Sequence, residues 1–434
     1  MEKLFQLKKH NTDFRTEVIG GLTTFFAMAY IIFVNPNFLS QTGMDHTAVM
    51  LATCISAAIG CFLTAFMANV PFAQAPGMGL NAFFTYTICF GMGYTWQQGL
   101  AIVFISGLIF LAVSVSPIRK QIIDSIPASL KAAISAGIGL FICLIGLLNA
   151  GIVTAGNNLL DLSNITSGAP LLALIGLIIT GILMAWKVKG ALFIGILVTT
   201  VIGIPMGVTN LSNVSISFEG ISVAPTFFKL SFVGLLGNGI LPLLTAIVTF
   251  AMCDCFDTVG TLIGTAGSAG MLDENGNLPR GDKALIADAV ATCTGALMGT
   301  STVTTFVESS TGISEGARTG LSSVVVGILF LLGCVLAPIA GIIPSAATAP
   351  ALIIVGMFMI GNVAKIDWSD VEVALPCFLT IAMMPFAYSI SDGIGFGFIS
   401  YTLIKMARGK FKEVPVLLYI LSALFVVMYI LAAL

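Results

Sequence analysis

Long apolar runs recur along the whole chain and set the first limit on how it can fold. Examples are "AIVFISGLIFLAVSV", "LLALIGLIITGILMAW" and "SSVVVGILFLLGCVLAPIAGI". Runs of about 18 to 24 such residues can cross about 30 Å of hydrocarbon as helices. Because 57% of the 434 residues are hydrophobic and 9% are charged, against roughly 25% charged in soluble domains, a soluble fold is excluded. The sequence predicts an all-α polytopic membrane protein with about fourteen spans.

Basic residues are distributed asymmetrically about these runs, and their placement predicts the orientation of the chain. The basic clusters lie in the N-terminal segment and after an even number of runs, at Lys3, Lys8, Lys9 and Arg15, Arg119 and Lys120, Lys187 and Lys189, and Arg280 and Lys283. We therefore expect a multi-pass protein of the cytoplasmic (inner) membrane with a cytoplasmic N-terminus. The side of the C-terminus stays open, because the basic residues at 405–412 indicate the cytoplasm while the last apolar run could add a crossing.

Two of the apolar segments are interrupted. In "NVPFAQAPGMGLNAFFTYTICF", prolines and glycines precede an apolar stretch, which predicts an extended part followed by a half-helix that starts near Asn81. In "GTSTVTTFVESSTGISEGARTG", a β-branched run precedes a helix start near Phe306 or Glu308. Irregular backbone at membrane depth is tolerated only where it is buried in protein or lines a cavity, and paired interruptions in two halves indicate a transport site.

The two interrupted segments occupy matching positions in the two halves of the chain. Phe26-Ala-Met aligns with Phe250-Ala-Met, and the same shift carries Asn81 into the second interrupted segment. An odd number of crossings per half, about seven, would invert the second half relative to the first. The sequence therefore predicts a 7+7 inverted repeat with short extended strands in spans 3 and 10.

Few ionisable side chains fall inside the spans, and such residues by default mark a ligand site or a proton pathway. Asp254 and Asp257 are three residues apart and are expected to share a helix face. We expect Asp257 and Glu308 to contact a ligand; the alternatives are a paired structural carboxylate at Asp257 and a helix cap at Glu308. Asp288 is expected to be mainly structural. Asn81 is expected to cap its half-helix, to contact the ligand, or both.

Two carboxylates and an amide near the middle of the bilayer favour a neutral heterocycle with several N–H donors. A carboxylate accepts from adjacent N–H groups, and an amide both donates and accepts. Inorganic anions fit poorly, because "QAPGMGLNAFF" and "STVTTFVESSTG" contain no Lys or Arg. A buried carboxylate without a cation can be neutralised by a proton or by a ligand donor, so either Glu308 or Asp257 could couple proton movement to ligand binding.

Other classes of function have little support in the sequence. The two histidines, His10 and His46, lie outside the spans, so a serine-type intramembrane hydrolase would lack its base. No GxGD-like pattern surrounds Asp257 or Asp288, which argues against an aspartyl hydrolase. The nine cysteines are scattered without a CxxC pair, so neither a metal site nor a cofactor is indicated. The short basic clusters lack interleaved aromatic residues, and nucleic acid is not an expected partner.

Several blocks of the sequence resemble the AzgA-like purine permeases of the nucleobase/cation symporter group. The blocks are "QAPGMGLNAFF", "FDTVGTLIG", "LPRGDKALIADAVATCTGALMGTSTVTTFVESSTGI" and "ARTGL". The resemblance implies a fold like that of the uracil permease, with a core domain from spans 1–4 and 8–11 and a gate domain from spans 5–7 and 12–14. In this sequence the core domain would comprise residues 13–116 and 232–343, and the gate domain residues 127–210 and 345–434.

The resemblance also implies a function and a site. It implies proton-coupled uptake of adenine, guanine or hypoxanthine, with the purine, the proton and the lipid bilayer as partners, and it makes a homodimer plausible. The substrate would lie between the two half-strands, with Asn81, Asp257 and Glu308 binding the purine or supporting its site. Secondary candidates are Ala82, Phe83, Val307, Ser309 and Asp288.

One departure from related carriers narrows the expected substrate. Xanthine, urate and ascorbate carriers have an Asn-x-Gly pattern after the acidic or amide position of span 10, whereas "ESSTG" has Ser309 and Ser310 there and its glycine at Gly312. This departure argues against xanthine or urate as the main substrate and leaves adenine, guanine and hypoxanthine open. The alternatives are a uracil or xanthine carrier, or an anion exchanger, on the same fold.

Overall fold

The computed structural model describes residues 2–117, 125–156, 159–211, 221–273 and 278–432; the basic pair Arg119 and Lys120 lies outside these ranges. Within them the chain is mostly helical. Seven helical segments are long and apolar enough to cross a membrane, by length and composition, and four shorter apolar helices accompany them. The predicted polytopic helical class is confirmed.

A short N-terminal helix (Glu2–Phe5) and a 3-10 turn (Leu7–His10) precede the first half of the chain's spanning elements. Its elements are α1 (Phe14–Met28), α2 (Ile31–Leu39), α3 (His46–Leu63), β1 (Gln74–Pro76), α4 (Met78–Ala82), α5 (Trp96–Val115), α6 (Ala128–Asn149), β2 (Val153–Gly156), β3 (Leu159–Leu162), α7 (Gly168–Ala185) and α8 (Ala191–Gly203). Side-chain caps from Asp13, Asp45 and Thr95 start α1, α3 and α5 by accepting free backbone N–H groups.

The second half repeats this order as far as its interrupted span and the helix that follows it. Its elements are α9 (Ile240–Ser268), α10 (Gly281–Met298), β4 (Val303–Thr305), α11 (Ser309–Ser314), α12 (Gly320–Gly333), α13 (Ser345–Ile360), α14 (Val371–Phe386), α15 (Ile390–Ala407) and α16 (Val416–Ala432). In each half a third, interrupted span consists of a three-residue strand followed by a short helix. This repetition agrees with the predicted inverted repeat.

The two short strands pair with each other across the halves. β1 and β4 are antiparallel, with Gln74 opposite Thr305 and Pro76 opposite Val303. Pro76 cannot donate to a ladder, so it suits a strand end, while the Thr and Val residues of β4 favour extended backbone. The strands predicted in spans 3 and 10 are therefore confirmed.

The helices after these strands begin slightly away from the predicted residues. The first begins at Met78 rather than near Asn81, because Gly77 already has the extended conformation of a residue preceding a helix. The second begins at Ser309, directly after Glu308. π-helical turns continue α3 over Thr64–Ala68 and α4 over Phe83–Gly91. The residues that interrupt a span therefore predict the position of the interruption more closely than the first residue of the helix that follows it.

The described helices pack in two groups, each drawn from both halves. In the first group α10 packs against α3 and α5, and α12 packs against α1 and α3. In the second group α6 packs against α13 and α14, and α7 packs against α8 and α13. The α6–α13 crossing requires two glycines, since a Cβ at Gly356 would lie 2.5 Å from the carbonyl oxygen of Gly139.

The end of the chain, for which the resemblance implies spans 12–14, contains four helices. Within residues 345–432 the structure has four helices, α13 to α16, because the last apolar run forms a helix of its own. The Tyr429 hydroxyl, near the end of α16, donates to Asp392 near the start of α15 at 3.0 Å. These two helices therefore run antiparallel.

Candidate functional site at the paired strands

Glu308 lies between β4 and α11, where the second interrupted span changes from strand to helix. Its side chain makes no hydrogen bond to the start of α11, so the helix-cap alternative is not observed. Instead, the Tyr30 hydroxyl donates to Glu308 Oε1 at 2.8 Å. The carboxylate is half-buried and directed toward the first half of the chain.

Asp257 and Glu308 come together from different elements. Asp257 lies near the middle of α9, and its charge interacts with that of Glu308. The Asp257 side chain is exposed, whereas a mid-helix carboxylate facing lipid would be strongly disfavoured. Gly260 and Gly264 follow on the same part of α9, and a Cβ at either would meet no atom within 4 Å. This side of α9 is therefore open next to the two carboxylates.

Asp254 and Asp257, three residues apart on α9, differ in exposure. Asp254 is 1% exposed, and the Thr292 hydroxyl donates to its Oδ2 at 2.7 Å. Asp257, by contrast, is exposed. Three residues turn a helix by about 300°, so packing against α10 can enclose one carboxylate and leave the other in the open side.

Asp288, on α10, forms hydrogen bonds with both β1 and β4. The side chain is fully buried on α10, and its Oδ1 accepts from Gln74 Nε2 of β1 at 3.1 Å and from Thr305 Oγ1 of β4 at 2.7 Å. This geometry agrees with the structural role expected for Asp288. Gln74 and Thr305 were not singled out from the sequence; the one signal was a glutamine within an otherwise apolar extended stretch, "FAQAP".

Asn81 is also buried between the halves. It lies inside α4, so the expected helix cap is wrong: Gly77 precedes the helix and Asn81 occupies its fourth residue. The side chain is 0% exposed, and its Oδ1 accepts from the hydroxyl of Ser301, just before β4. Its Nδ2 has no hydrogen-bond partner among the described residues. Asn81 is therefore close to the strand pair but not open to the side where Asp257 lies.

The secondary candidates differ in exposure. Ser309 is buried and its hydroxyl accepts from the Ala73 amide at 3.0 Å, which fastens α11 to the residue before β1. Ala82 is buried, and Phe83 packs edge-on against Phe250 with ring centres 4.7 Å apart. Val307, next to Glu308, is 54% exposed. Of these residues, Val307 alone lies open beside the carboxylates.

The charges around α11 differ from the sequence expectation. Glu315 and Arg318 are three residues apart, which within a helix would favour an ion pair, but α11 ends at Ser314 and Gly316 has a φ of +103°, so helical spacing does not apply. Glu315 pairs with Lys189 at 2.9 Å, and Arg318 Nη1 donates to the backbone carbonyls of Ile313 and Ala317.

A basic residue, Lys131, lies close to α9. Lys131 of α6 places its Nζ 5.2 Å from the ring centre of Phe256, the neighbour of Asp257 in the chain. The contact joins the second helix group to the first, and no local sequence pattern could have indicated it.

A cavity lies on the C-terminal side of the two carboxylates. Its volume is about 360 Å³, and it is lined by Thr265, Ala269, Ser310, Ile313, Ser314 and Arg318. These residues come from the end of α9, from α11 and from the loop after it. The cavity and the open side of α9 both border α11, the helix that follows Glu308.

Comparisons with known proteins match nearly the whole chain. The sequence model of a family described as "Permease family" matches residues 15–396. The chain is 42% identical over 429 residues to "Adenine permease AdeP" of Escherichia coli (strain K12), covering 98% of this chain and 95% of the relative. It is 45% identical over 440 residues to "Guanine/hypoxanthine permease PbuG" of Bacillus subtilis (strain 168), covering 99% of each.

A solved structure supports the fold independently. "The transmembrane domain of a cyanobacterium bicarbonate transporter BicA" superposes with a TM-score of 0.67, covering 87% of this chain and 97% of that chain, at 17% identity. At this identity the likeness concerns the fold alone.

Proposed function

Because the chain belongs to the Permease family, we propose that it takes up purine nucleobases together with protons across the cytoplasmic membrane. One observation carries the proposal: the chain matches, over almost its full length, relatives named for adenine and for guanine and hypoxanthine. It is a transporter rather than an enzyme. Adenine, guanine and hypoxanthine share a planar ring with both N–H donors and ring-nitrogen acceptors, and the proposal does not choose among them.

The purine is proposed to bind beside the paired strands. Asp257 and Glu308 supply acceptors for its N–H groups, since both carboxylates lie next to the open side of α9 and interact electrostatically. Asn81 supports the site from behind through its link to Ser301. Asp288 holds β1 and β4 in register through Gln74 and Thr305.

Proton coupling is proposed to use one of the two carboxylates at the open side. No Lys or Arg forms an ion pair with Asp257 or Glu308 in the described part of the chain. Two neighbouring carboxylates within a membrane protein are costly when both are ionised without a nearby cation, and either a proton or a purine N–H relieves this cost. Either Asp257 or Glu308 can therefore take up the proton that accompanies the purine.

Alternating access is proposed to arise from movement between the two helix groups. We propose that the first group forms the core domain, predicted at 13–116 and 232–343, and that the second forms the gate domain, predicted at 127–210 and 345–434; the packing of the helices within each group supports this division. The strands and both carboxylates belong to the first group, so the substrate would move with it. The N-terminus is proposed to face the cytoplasm, as the basic clusters indicate. The homodimer stays a prediction.

An anion exchanger is the alternative function on a fold that this chain shares with a bicarbonate transporter, a likeness that concerns the fold alone. The site disfavours it, because two carboxylates repel an anionic substrate. A uracil or xanthine carrier shares the same chemistry and is distinguished only by the substrate tested.

Uptake of radiolabelled substrates by cells that lack their own purine carriers tests the proposal. We expect saturable uptake of adenine, guanine or hypoxanthine, little of uracil, xanthine or bicarbonate, and loss of accumulation with a proton uncoupler. Accumulation that survives the uncoupler but needs sodium would overturn proton coupling while keeping purine transport. Uptake of bicarbonate without any purine would overturn the substrate class.

A further inference from the structure

Tyr30 occupies the break in the first span. α1 ends at Met28 and α2 begins at Ile31, and the Phe33 amide donates to the Tyr30 carbonyl at 3.1 Å across the turn between them. The Tyr30 side chain is 1% exposed. In the sequence it is one aromatic residue among many in an apolar run, and nothing there separates it from ordinary packing.

The hydroxyl of Tyr30 reaches the second half of the chain. It donates to Glu308 Oε1 at 2.8 Å, between residues 278 positions apart. A buried phenol requires a polar partner, and here that partner is a carboxylate at the open side of α9. No other side chain of the described residues donates to this carboxylate. One oxygen of Glu308 is thus held by this phenol, and Oε2 has no side-chain donor among the described residues.

We propose that Tyr30 is a positioning residue of the purine site: its hydroxyl fixes Glu308 by Oε1 and directs Oε2 toward the purine. The inference rests on the proposed function of Glu308. Because one carboxylate oxygen is already held, the glutamate side chain is ordered before the purine binds, and binding then costs less conformational entropy. Tyr30 lies at the break between α1 and α2, and from there its hydroxyl reaches Glu308 at the start of α11.

Tyr30 can hold Glu308 in both of its protonation states. A phenol both donates and accepts. When Glu308 is ionised, the Tyr30 hydroxyl donates a hydrogen bond to Oε1. When Oε1 carries a proton, the hydroxyl can rotate so that its oxygen accepts a hydrogen bond from that O–H group. The glutamate therefore keeps one orientation while it gains and loses the proton, and a phenylalanine would lose both interactions.

The first test is Tyr30→Phe, which keeps the ring and removes the hydroxyl. We expect a KM for purine uptake about tenfold higher, with the maximal rate within about twofold, because a hydrogen bond to a charged group is lost. Tyr94→Phe is the matched control, since Tyr94 is also buried and its hydroxyl donates to the Leu235 carbonyl at 3.3 Å. An unchanged KM in Tyr30→Phe, or an equal rise in the control, would overturn the proposal.

The second test is a double-mutant cycle with Glu308→Gln, measured by equilibrium purine binding and by thermal unfolding of the purified protein. We expect Tyr30→Phe to lower affinity and melting temperature in the wild-type background and to change each much less in Glu308→Gln. Equal effects in both backgrounds would show that Tyr30 acts on packing alone, which overturns the proposal. If the wild type binds no purine, the proposed function fails, and the unfolding cycle still decides whether the two side chains interact.

Discussion

At the scale of single residues, the candidate site depends on where each acidic side chain lies relative to the open side of α9. Asp257 is exposed beside Glu308, whereas Asp254 and Asp288 are enclosed by hydroxyl and amide donors. One oxygen of each enclosed carboxylate accepts from neighbouring elements and links them, whereas an open carboxylate remains available to a ligand. The same residue type therefore has two roles within one helix.

Glu308→Gln and Asp257→Asn are expected to lower purine uptake by at least about tenfold each, because each removes a charged acceptor from the site. Membrane insertion should be unchanged, as judged by the amount of protein in purified membranes. Asp45→Asn is the control: Asp45 caps α3, and asparagine caps a helix equally well. Full uptake in both site variants would remove these carboxylates from the mechanism.

At the scale of secondary structure, the β1–β4 pair is very short and depends on side chains for its stability. Three residue pairs form its ladder, and the flanking amides of Gly77 and Phe306 donate to Thr302 and Ala73. Two-stranded pairs of this length are marginal alone. Asp288, on α10, adds hydrogen bonds to both strands at once and so couples them to the helix behind.

Asp288→Ala is expected to destabilise this arrangement by about 1–3 kcal/mol, because Gln74 Nε2 and Thr305 Oγ1 would both lose their acceptor and keep only their long contact with each other at 3.5 Å. Asp288→Asn should cost less, since its amide oxygen can replace Oδ1 as the acceptor. The measurement is the melting temperature of each purified variant. Equal melting temperatures for the two variants would contradict the role given to Asp288 Oδ1.

At the scale of the whole molecule, polar contacts as well as apolar packing join the two helix groups. One polar contact is the ion pair of Lys189, in the loop between α7 and α8, with Glu315 at the end of α11. Another joins Thr249 of α9 to Ser391 of α15, with 3.4 Å between their hydroxyl oxygens. If the groups move against each other during transport, such contacts form in some states only.

Charge reversal at the Lys189–Glu315 pair is expected to change the uptake rate by no more than about fivefold, because exposed ion pairs contribute about 0–1 kcal/mol. Lys189→Glu and Glu315→Lys should each shift the rate, and the double variant should return it to near the wild-type value. Initial uptake rates at matched expression measure this. A double variant no better than the singles would rule out the pair as a contact that matters during transport.

The sequence by itself determined the features that depend on local chemistry. Apolar runs fixed the membrane class, because backbone groups in lipid must be satisfied within a helix. The prolines and glycine of 71–77 and the β-branched run before Phe306 located both strand-to-helix breaks, since these residues restrict their own backbone. Acidic residues are rare in the spans because an ionisable side chain is costly in the membrane, and this rarity singled out Asp257 and Glu308.

Only the tertiary structure decided which side chains meet. Tyr30 and Glu308 are 278 residues apart, and Gln74 pairs with Asp288 across the two halves. Helix periodicity placed Asp254 and Asp257 on one face, but packing against α10 enclosed one and left the other open. Local periodicity constrains where a side chain points from its own helix, whereas the partner it finds depends on how distant elements pack, which no short stretch encodes.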